Sequence, residues 1–415
     1  MAIDKTAQHP ADMYKILFSI LSCVVFLLTS CAKPPVTKPE FALEQVSWWR
    51  AGLKADDLEF QGLAEAARQS MEYYKRLPAD SSFVFGPIRV TAGDMVVTLQ
   101  NLLLIVENTS LTPELKVEQI KNGFDIYRSV GSNGRGKVLF TGYYEPVLSC
   151  RRTADDTYKF PLYKRPDDIL EIDLSQFGEN FGKDRIFGRL NGKKVIPYFS
   201  RQEIDQQKQL AGKGLEVLWC ADLVDIYTVQ VQGSGKADLG NGEIVGILYD
   251  GQNGRPYRGI GRYLIDSGAI PKEKMSMPAI RDYLKANPEK LFDILHQNPS
   301  YVFFKVENKL AVGNINVPLT ARRSIATDYR LFPKGALALI RTEKPVIAED
   351  GTVKEWNAFT RFVMNQDTGG AIRGAGRVDL FWGQGKEAEL SAGYMQQEGK
   401  LYFLLRKKEE RNDSW

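Results

Sequence analysis

The sequence predicts a mainly β protein built from barrels and preceded by helices. The longer helical patterns fall in the first third of the chain after its apolar start. From about residue 138 onward, short apolar or alternating runs are punctuated by glycine turns. These strands are too many and too short for a doubly wound sheet, so barrels fit better.

At the start, Lys5 and Lys15 precede the apolar run Ile16 to Leu28, which ends at Thr29-Ser30-Cys31. The run is short for a bilayer span and ends in small residues, as a secretory signal does over residues 1–30. Leu28-Thr-Ser-Cys31 resembles the lipobox of bacterial lipoproteins, in which the cysteine is acylated. Ala32 and Lys33 follow, with no aspartate at the position associated with inner-membrane retention. The expectation is therefore an outer-membrane lipoprotein facing the periplasm, anchored at Cys31, with residues 31–40 as an unstructured tether.

Three helices are expected next. Residues 57–76 place Phe60, Leu63, Ala67, Met71 and Tyr74 on one face. The second runs over 91–107 from a Thr-x-x-Asp cap, and the third starts at Thr112-Pro113 and ends near Asn122-Gly123. Strands are then expected at 138–146, 195–199, 215–219, 226–232, 244–249, 301–306, 336–340, 359–366 and 401–405, with short helices over 278–286 and 288–297. On a strand at 226–232, Gln230 and Gln232 share a face and can hydrogen-bond sugar hydroxyls or acetamides. Of the adjacent Tyr143 and Tyr144, only one can face a cleft.

Composition excludes several chemistries. The net charge is +4, and no basic run argues for nucleic acid. Histidine occurs twice, His9 in the signal and His296 near a helix end, which removes a Ser-His-Asp triad, a Cys-His pair and any multi-histidine metal site. No cofactor or metal is expected. Cys150 and Cys220 lack metal-ligand spacing; in an oxidising compartment they can pair, but spacing alone does not decide it. Carboxylates, tyrosines and backbone remain.

The stretch Gln366-Asp-Thr-Gly-Gly-Ala-Ile-Arg-Gly-Ala-Gly-Arg-Val-Asp-Leu-Phe-Trp-Gly383 concentrates them. Asp367 and Asp379 flank a glycine-rich loop, and Asp379 interrupts a β-branched and aromatic run where aspartate is normally depleted. A carboxyl held there by an apolar run is expected to have a raised pKa, as a general acid needs. Spacing leaves open that Asp367 caps the turn and Asp379 faces solvent.

Taken together, Phe140-Thr-Gly-Tyr-Tyr-Glu-Pro146, Phe160 to Asp168, Val229-Gln-Val-Gln-Gly-Ser-Gly235, Asn298 to Phe304, Val317-Pro-Leu-Thr320 and Gln366 to Gly383 resemble the membrane-bound lytic murein transglycosylase A family. The C-terminal part is similar to a domain named for three aspartates, whose positions Asp328, Asp367 and Asp379 occupy. The resemblance implies a double-psi β-barrel formed by residues 41–146 together with 313–415, an inserted second β-barrel domain at 147–312, and a glycan-binding groove between them. It implies cleavage of the MurNAc-GlcNAc β-1,4 bond of peptidoglycan without water, leaving 1,6-anhydromuramoyl ends. Asp379 would act as acid and then base, with Asp328 and Asp367 as structural carboxylates and Tyr143, Tyr144, Gln230, Gln232 and Trp382 lining the groove. For Trp382 core packing is an equal reading. The implied partners are peptidoglycan glycan strands, the membrane through Cys31, and cell-wall synthesis or scaffold proteins. Two rival functions stay open: an inverting hydrolase using Asp379 and Asp367, and a non-catalytic wall-binding lipoprotein.

Overall fold

The structure is a computed structural model that describes residues 36–408 apart from 54, 179–184, 309–311 and 371. The signal at 1–30, Cys31 and the first half of the tether lie outside the described residues. Among the described residues, no helix is long and apolar enough to cross a membrane.

Three helices open the fold: α1 (Leu63–Lys75), α2 (Ala92–Val106) and α3 (Pro113–Gly123). The cap read at Thr91 is a full capping box, with the Asp94 amide donating to Thr91 Oγ1 at 3.1 Å and the Thr91 amide donating back to Asp94 Oδ2 at 2.9 Å. The first helix corrects the expectation by starting at Leu63 rather than residue 57. Glu59, Phe60 and Gly62 adopt left-handed backbone before it. Asp56 and Asp57 are drawn away to distant arginines. Asp56 pairs with Arg323 through both oxygens, at 2.7 and 2.8 Å and fully buried. Asp57 pairs in the same forked way with Arg361 and also binds Lys344. The N-terminal segment is thereby clamped to one strand through Arg361 and to the start of another through Arg323, the residue before it.

Those strands close a barrel. In chain order they are β1 (Val138–Glu145), β2 (Ser324–Ala326), β3 (Leu337–Ile347), β4 (Val353–Asp367), β5 (Arg377–Gln384) and β6 (Gln396–Arg406). Around the barrel they run β6-β3-β4-β2-β5-β1, and β1 pairs back onto β6. The β2–β4 and β1–β5 pairings are parallel and the others antiparallel. This closed six-stranded barrel is the double-psi barrel expected, and its closure removes the free edges an open sheet would leave. The far half of β6 also pairs with Phe124–Ser129, which in turn pairs with Leu43–Val46. Leu99, Leu102, Phe140, Phe362, Val378, Leu380 and Phe403 are fully buried in one core shared by the helices and the barrel.

Between β1 and β2 the chain builds a second, six-stranded sheet from strands within residues 147–307, and a separate three-stranded sheet within 170–196. The larger sheet's edge strands, Val302–Glu307 and Phe160–Tyr163, come into contact, so it curls on itself. Cys150 and Cys220 face each other in register on neighbouring strands and form a disulfide.

The strand expected at 226–232 is instead a helix, α4 (Leu223–Gln232). Asp222 caps it by accepting from the Val224 amide at 2.8 Å, and Gly233 ends it in the left-handed conformation. Seven of its ten residues are buried, so it has no polar face to reveal a helical period. Two further helices matter for the site: α5 (Met277–Ala286) and α6 (Lys386–Tyr394), the latter directly after β5.

Candidate active site

Asp379 sits near the middle of β5, opposite Thr141 on β1 and Ala326 on β2. Val378, Leu380 and Trp382 point into the core, so Asp379 and its alternate neighbours Arg377 and Phe381 share the other face. The register brings Thr141 beside Asp379 and Tyr143 beside Phe381. The outer face of the β1–β5 pair thus carries one row of Thr141 and Asp379 and another of Tyr143 and Phe381, whose rings lie 5.1 Å apart.

Asp379 is held through one oxygen. Thr141 Oγ1 donates to Oδ1, and Arg377 Nε donates to the same oxygen at 3.2 Å. Arg377 Nη2 also donates to Thr141 Oγ1 at 3.2 Å, which closes a three-membered ring of contacts. The Asp379 side chain remains 20% exposed.

Asp367 ends β4 and pairs with Ala326, the residue that Asp379 faces from the other side. The two aspartate backbones are therefore two strand spacings apart, ~10 Å. Asp367 Oδ1 accepts from the Thr368 amide at 2.9 Å and the Asn314 amide at 3.1 Å, and Oδ2 accepts from the Tyr143 hydroxyl at 3.0 Å. Burial pushes its pKa up to about 6 against these hydrogen bonds, and the charge of Asp379 adds to the rise. Burial, together with the same two carboxylates, drives the Tyr143 phenol far above its ordinary range, so it stays a neutral donor.

Asp328 is fully buried. Its carboxylate accepts from the Arg330 amide and guanidinium and, at 2.8 Å, from the Gly374 amide of the glycine-rich loop. Burial works to raise its pKa, but these donors outweigh it and hold the group below the ordinary aspartate value. Asp328 ties a turn to a loop through backbone amides.

The remaining site residues separate. Tyr144 lies on the opposite face of β1 from Tyr143; its hydroxyl donates to Glu389 Oε1 of α6 at 3.4 Å, and burial raises its pKa. Trp382 is 6% exposed and belongs to the core. Gly142 lets it pack there, since a Cβ at 142 would come within 2.7 Å of the Trp382 Nε1 and 2.6 Å of the Ala392 Cα. Gln230 and Gln232, expected on one strand face, are corrected by the helix: two residues apart on α4 they project about 200° from one another. Gln230 is buried and donates to the Val302 carbonyl, and Gln232 Oε1 accepts from the Tyr144 amide at 3.2 Å. The residues the sequence reading missed are Thr141, Arg377 and Phe381. Arg377 and Phe381 could have been found from strand alternation around Asp379, whereas Thr141 needed the β1–β5 register.

Contacts also link the barrel to the inserted residues. Lys236 pairs with Glu145 at 2.9 Å and donates to Gln384 Oε1 at 2.8 Å, at the ends of β1 and β5. Arg281 of α5 lies between Asp225 of α4 and Glu389 of α6, 3.3 Å from the latter. Among the described residues no group of three or more His, Cys, Asp or Glu could hold a metal ion.

Comparison with known proteins places this geometry. Residues 139–305 match the model of the MltA specific insert domain, and residues 323–405 match that of the 3D domain. The membrane-bound lytic murein transglycosylase A of Vibrio cholerae is 34% identical over 279 residues, 66% of this chain and 67% of the relative. Its Escherichia coli K12 counterpart is 33% identical over 286 residues, 68% and 69%. Among solved structures, a membrane-bound lytic murein transglycosylase from Agrobacterium tumefaciens superposes with a TM-score of 0.69 at 28% identity, covering 88% of this chain and 98% of that one. Escherichia coli MltA with bound chitohexaose superposes with a TM-score of 0.66 at 25% identity, covering 91% and 97%. On these matches to both halves of its sequence and to its fold, the chain belongs to the membrane-bound lytic murein transglycosylase A family.

Proposed function

We propose that this chain is a lytic transglycosylase that cleaves the MurNAc-GlcNAc β-1,4 bond of peptidoglycan without water and leaves a 1,6-anhydromuramoyl end. The observation that carries this reading is Asp379, a carboxyl on the outward face of a closed barrel with Oδ1 occupied by Thr141 and Arg377. One such group suffices for the chemistry. Protonated Asp379 gives its proton to the glycosidic oxygen as the C1–O bond breaks and positive charge develops at C1. The resulting carboxylate then takes the proton from the C6 hydroxyl as that oxygen bonds to C1.

In this reading Asp367 and Asp328 support the barrel, and the donors committed to their carboxylates favour that role over activation of water. Tyr143 flanks the glycan beside Asp379. The strand runs between a barrel made of 41–146 with 313–415 and an inserted domain at 147–312, and the chitohexaose bound to the Escherichia coli relative supports a glycan ligand. The relatives are named membrane-bound, which accords with acylation at Cys31 and an outer-membrane, periplasm-facing anchor. The Cys150–Cys220 disulfide suits that oxidising compartment.

The test is mass spectrometry of murein digested by the protein and by Asp379→Asn. The unmutated protein is expected to release products lighter by one water per new end. The amide keeps the shape of the carboxyl but cannot carry the proton, so turnover should vanish while folding and glycan binding persist. Free reducing ends would make the enzyme a hydrolase, and more than a few per cent residual turnover would remove Asp379 from its role.

A further inference from the structure

We infer that Arg377 is a positioning residue that fixes which oxygen of Asp379 carries the proton, an inference resting on the transglycosylase reading above. Arg377 reaches Asp379 in two ways, directly through Nε and indirectly through Nη2 on the Thr141 hydroxyl. An oxygen accepting from Nη2 must send its own hydrogen elsewhere, and Thr141 Oγ1 sends it to Asp379 Oδ1. Both donors thereby converge on Oδ1. Oδ2 is left to give the proton to the leaving oxygen and to take one back from the C6 hydroxyl.

Three physical points support this assignment. Arg377 and Asp379 are 33% and 20% exposed, so packing alone does not lock either side chain, and the contacts must. One oxygen that serves two transfers in succession has to stay within hydrogen-bond reach of both sugar oxygens. A guanidinium keeps its protons at every working pH, so it orients the carboxyl without competing for the proton in transit. Its planar fork also presents donors to two acceptors in a fixed geometry, which the flexible ammonium of lysine does not pre-organise. Sequence supports the placement, since residues 377 and 379 are alternate positions on one strand and share a face whatever the rest of the fold does.

The experiment compares Arg377→Gln, Arg377→Lys, Thr141→Val and the double variant Thr141→Val/Arg377→Gln on soluble uncrosslinked glycan strands. Asp379→Asn runs in parallel, with thermal midpoints as a folding control. Arg377→Gln is expected to lower kcat about 10- to 100-fold with KM within about twofold, because a misplaced carboxyl fails in the transition state rather than in binding. Arg377→Lys should recover part of that loss. Thr141→Val should lose kcat similarly, and the double variant should fall little below the worse single one, since both act on the same oxygen.

Several results would overturn the inference. They are an Arg377→Gln kcat within about twofold of the unmutated value, a raised KM at unchanged kcat, or equal losses in Arg377→Gln and Arg377→Lys that track lowered thermal midpoints. If the arginine variants do not fold, an unimpaired Thr141→Val decides against it. Turnover by Asp379→Asn would instead remove the reading underneath, whereas an inactive Asp379→Asn beside an unaffected Arg377→Gln overturns this inference alone.

Discussion

Asp367 is an acid that the folded chain keeps protonated to an unusually high pH. Its pKa of about 6, raised chiefly by burial and further by Asp379, means that the native state binds its proton more tightly than the unfolded chain does. The associated stability is whole below the ordinary aspartate pKa and is lost as pH rises through 6. Asp367→Asn removes that loss while its amide oxygen still accepts from the Thr368 and Asn314 amides. The difference in thermal midpoint, variant minus unmutated, should therefore climb between pH 4 and 7 and flatten above it. A difference independent of pH would show that Asp367 does not carry this titration. At this scale the sequence was legible wherever a residue broke its local pattern, as Asp379 does in an apolar strand. Its partner Thr141 lies 238 residues away. That distance is crossed only by the parallel β1–β5 pairing, which no local pattern announces.

The element pair β1 and α6 is held together by the absence of a side chain. At Gly142 the backbone of Ala392 and the Trp382 indole approach so closely that a methyl group would strike both. Gly142→Ala should push α6 away from the barrel and cost about 1–3 kcal/mol, measured by urea unfolding, with a change in tryptophan emission from Trp382. Unchanged stability and emission would mean that α6 adjusts freely. Elements with a clear local signal were readable, as α2 shows through its capping box. The largely buried α4 was not, because Val224, Ile226, Val229 and Val231 supply β-branched residues with no clear polar side to set the period. Likewise only 401–405 of β6 was read, since Gln396 to Gly399, which pair with β1, carry no apolar signal.

Across the whole molecule, Arg281 joins the inserted residues to the barrel by sitting between Asp225 and Glu389. Burial opposes its charge, but the two carboxylates outweigh it and raise its pKa, so the link stays cationic. Arg281→Ala leaves partly buried Asp225 without this cation and leaves Glu389 to Lys386. Amide exchange in α4 and α6 should accelerate about tenfold, equivalent to ~1.4 kcal/mol of local opening, with little change in the far half of β6. Exchange unchanged in both helices would show that Arg281 does not hold the join. The barrel architecture itself was visible only through several motifs taken together, because no single strand encodes which neighbour it will meet.

The closing of β1 onto β6 carries a consequence for biosynthesis. Strand β1 leaves the ribosome with the first third of the chain, yet its two partners, β5 and β6, come from the last tenth or so. A growing polypeptide must therefore hold residues 138–145 unpaired through the emergence of the entire insertion, a long and slow loop to close. Any product that stops short of β5 lacks the acid altogether, and one that stops before β6 leaves it on an open sheet. The candidate site can thus come into being only after both β5 and β6 have emerged.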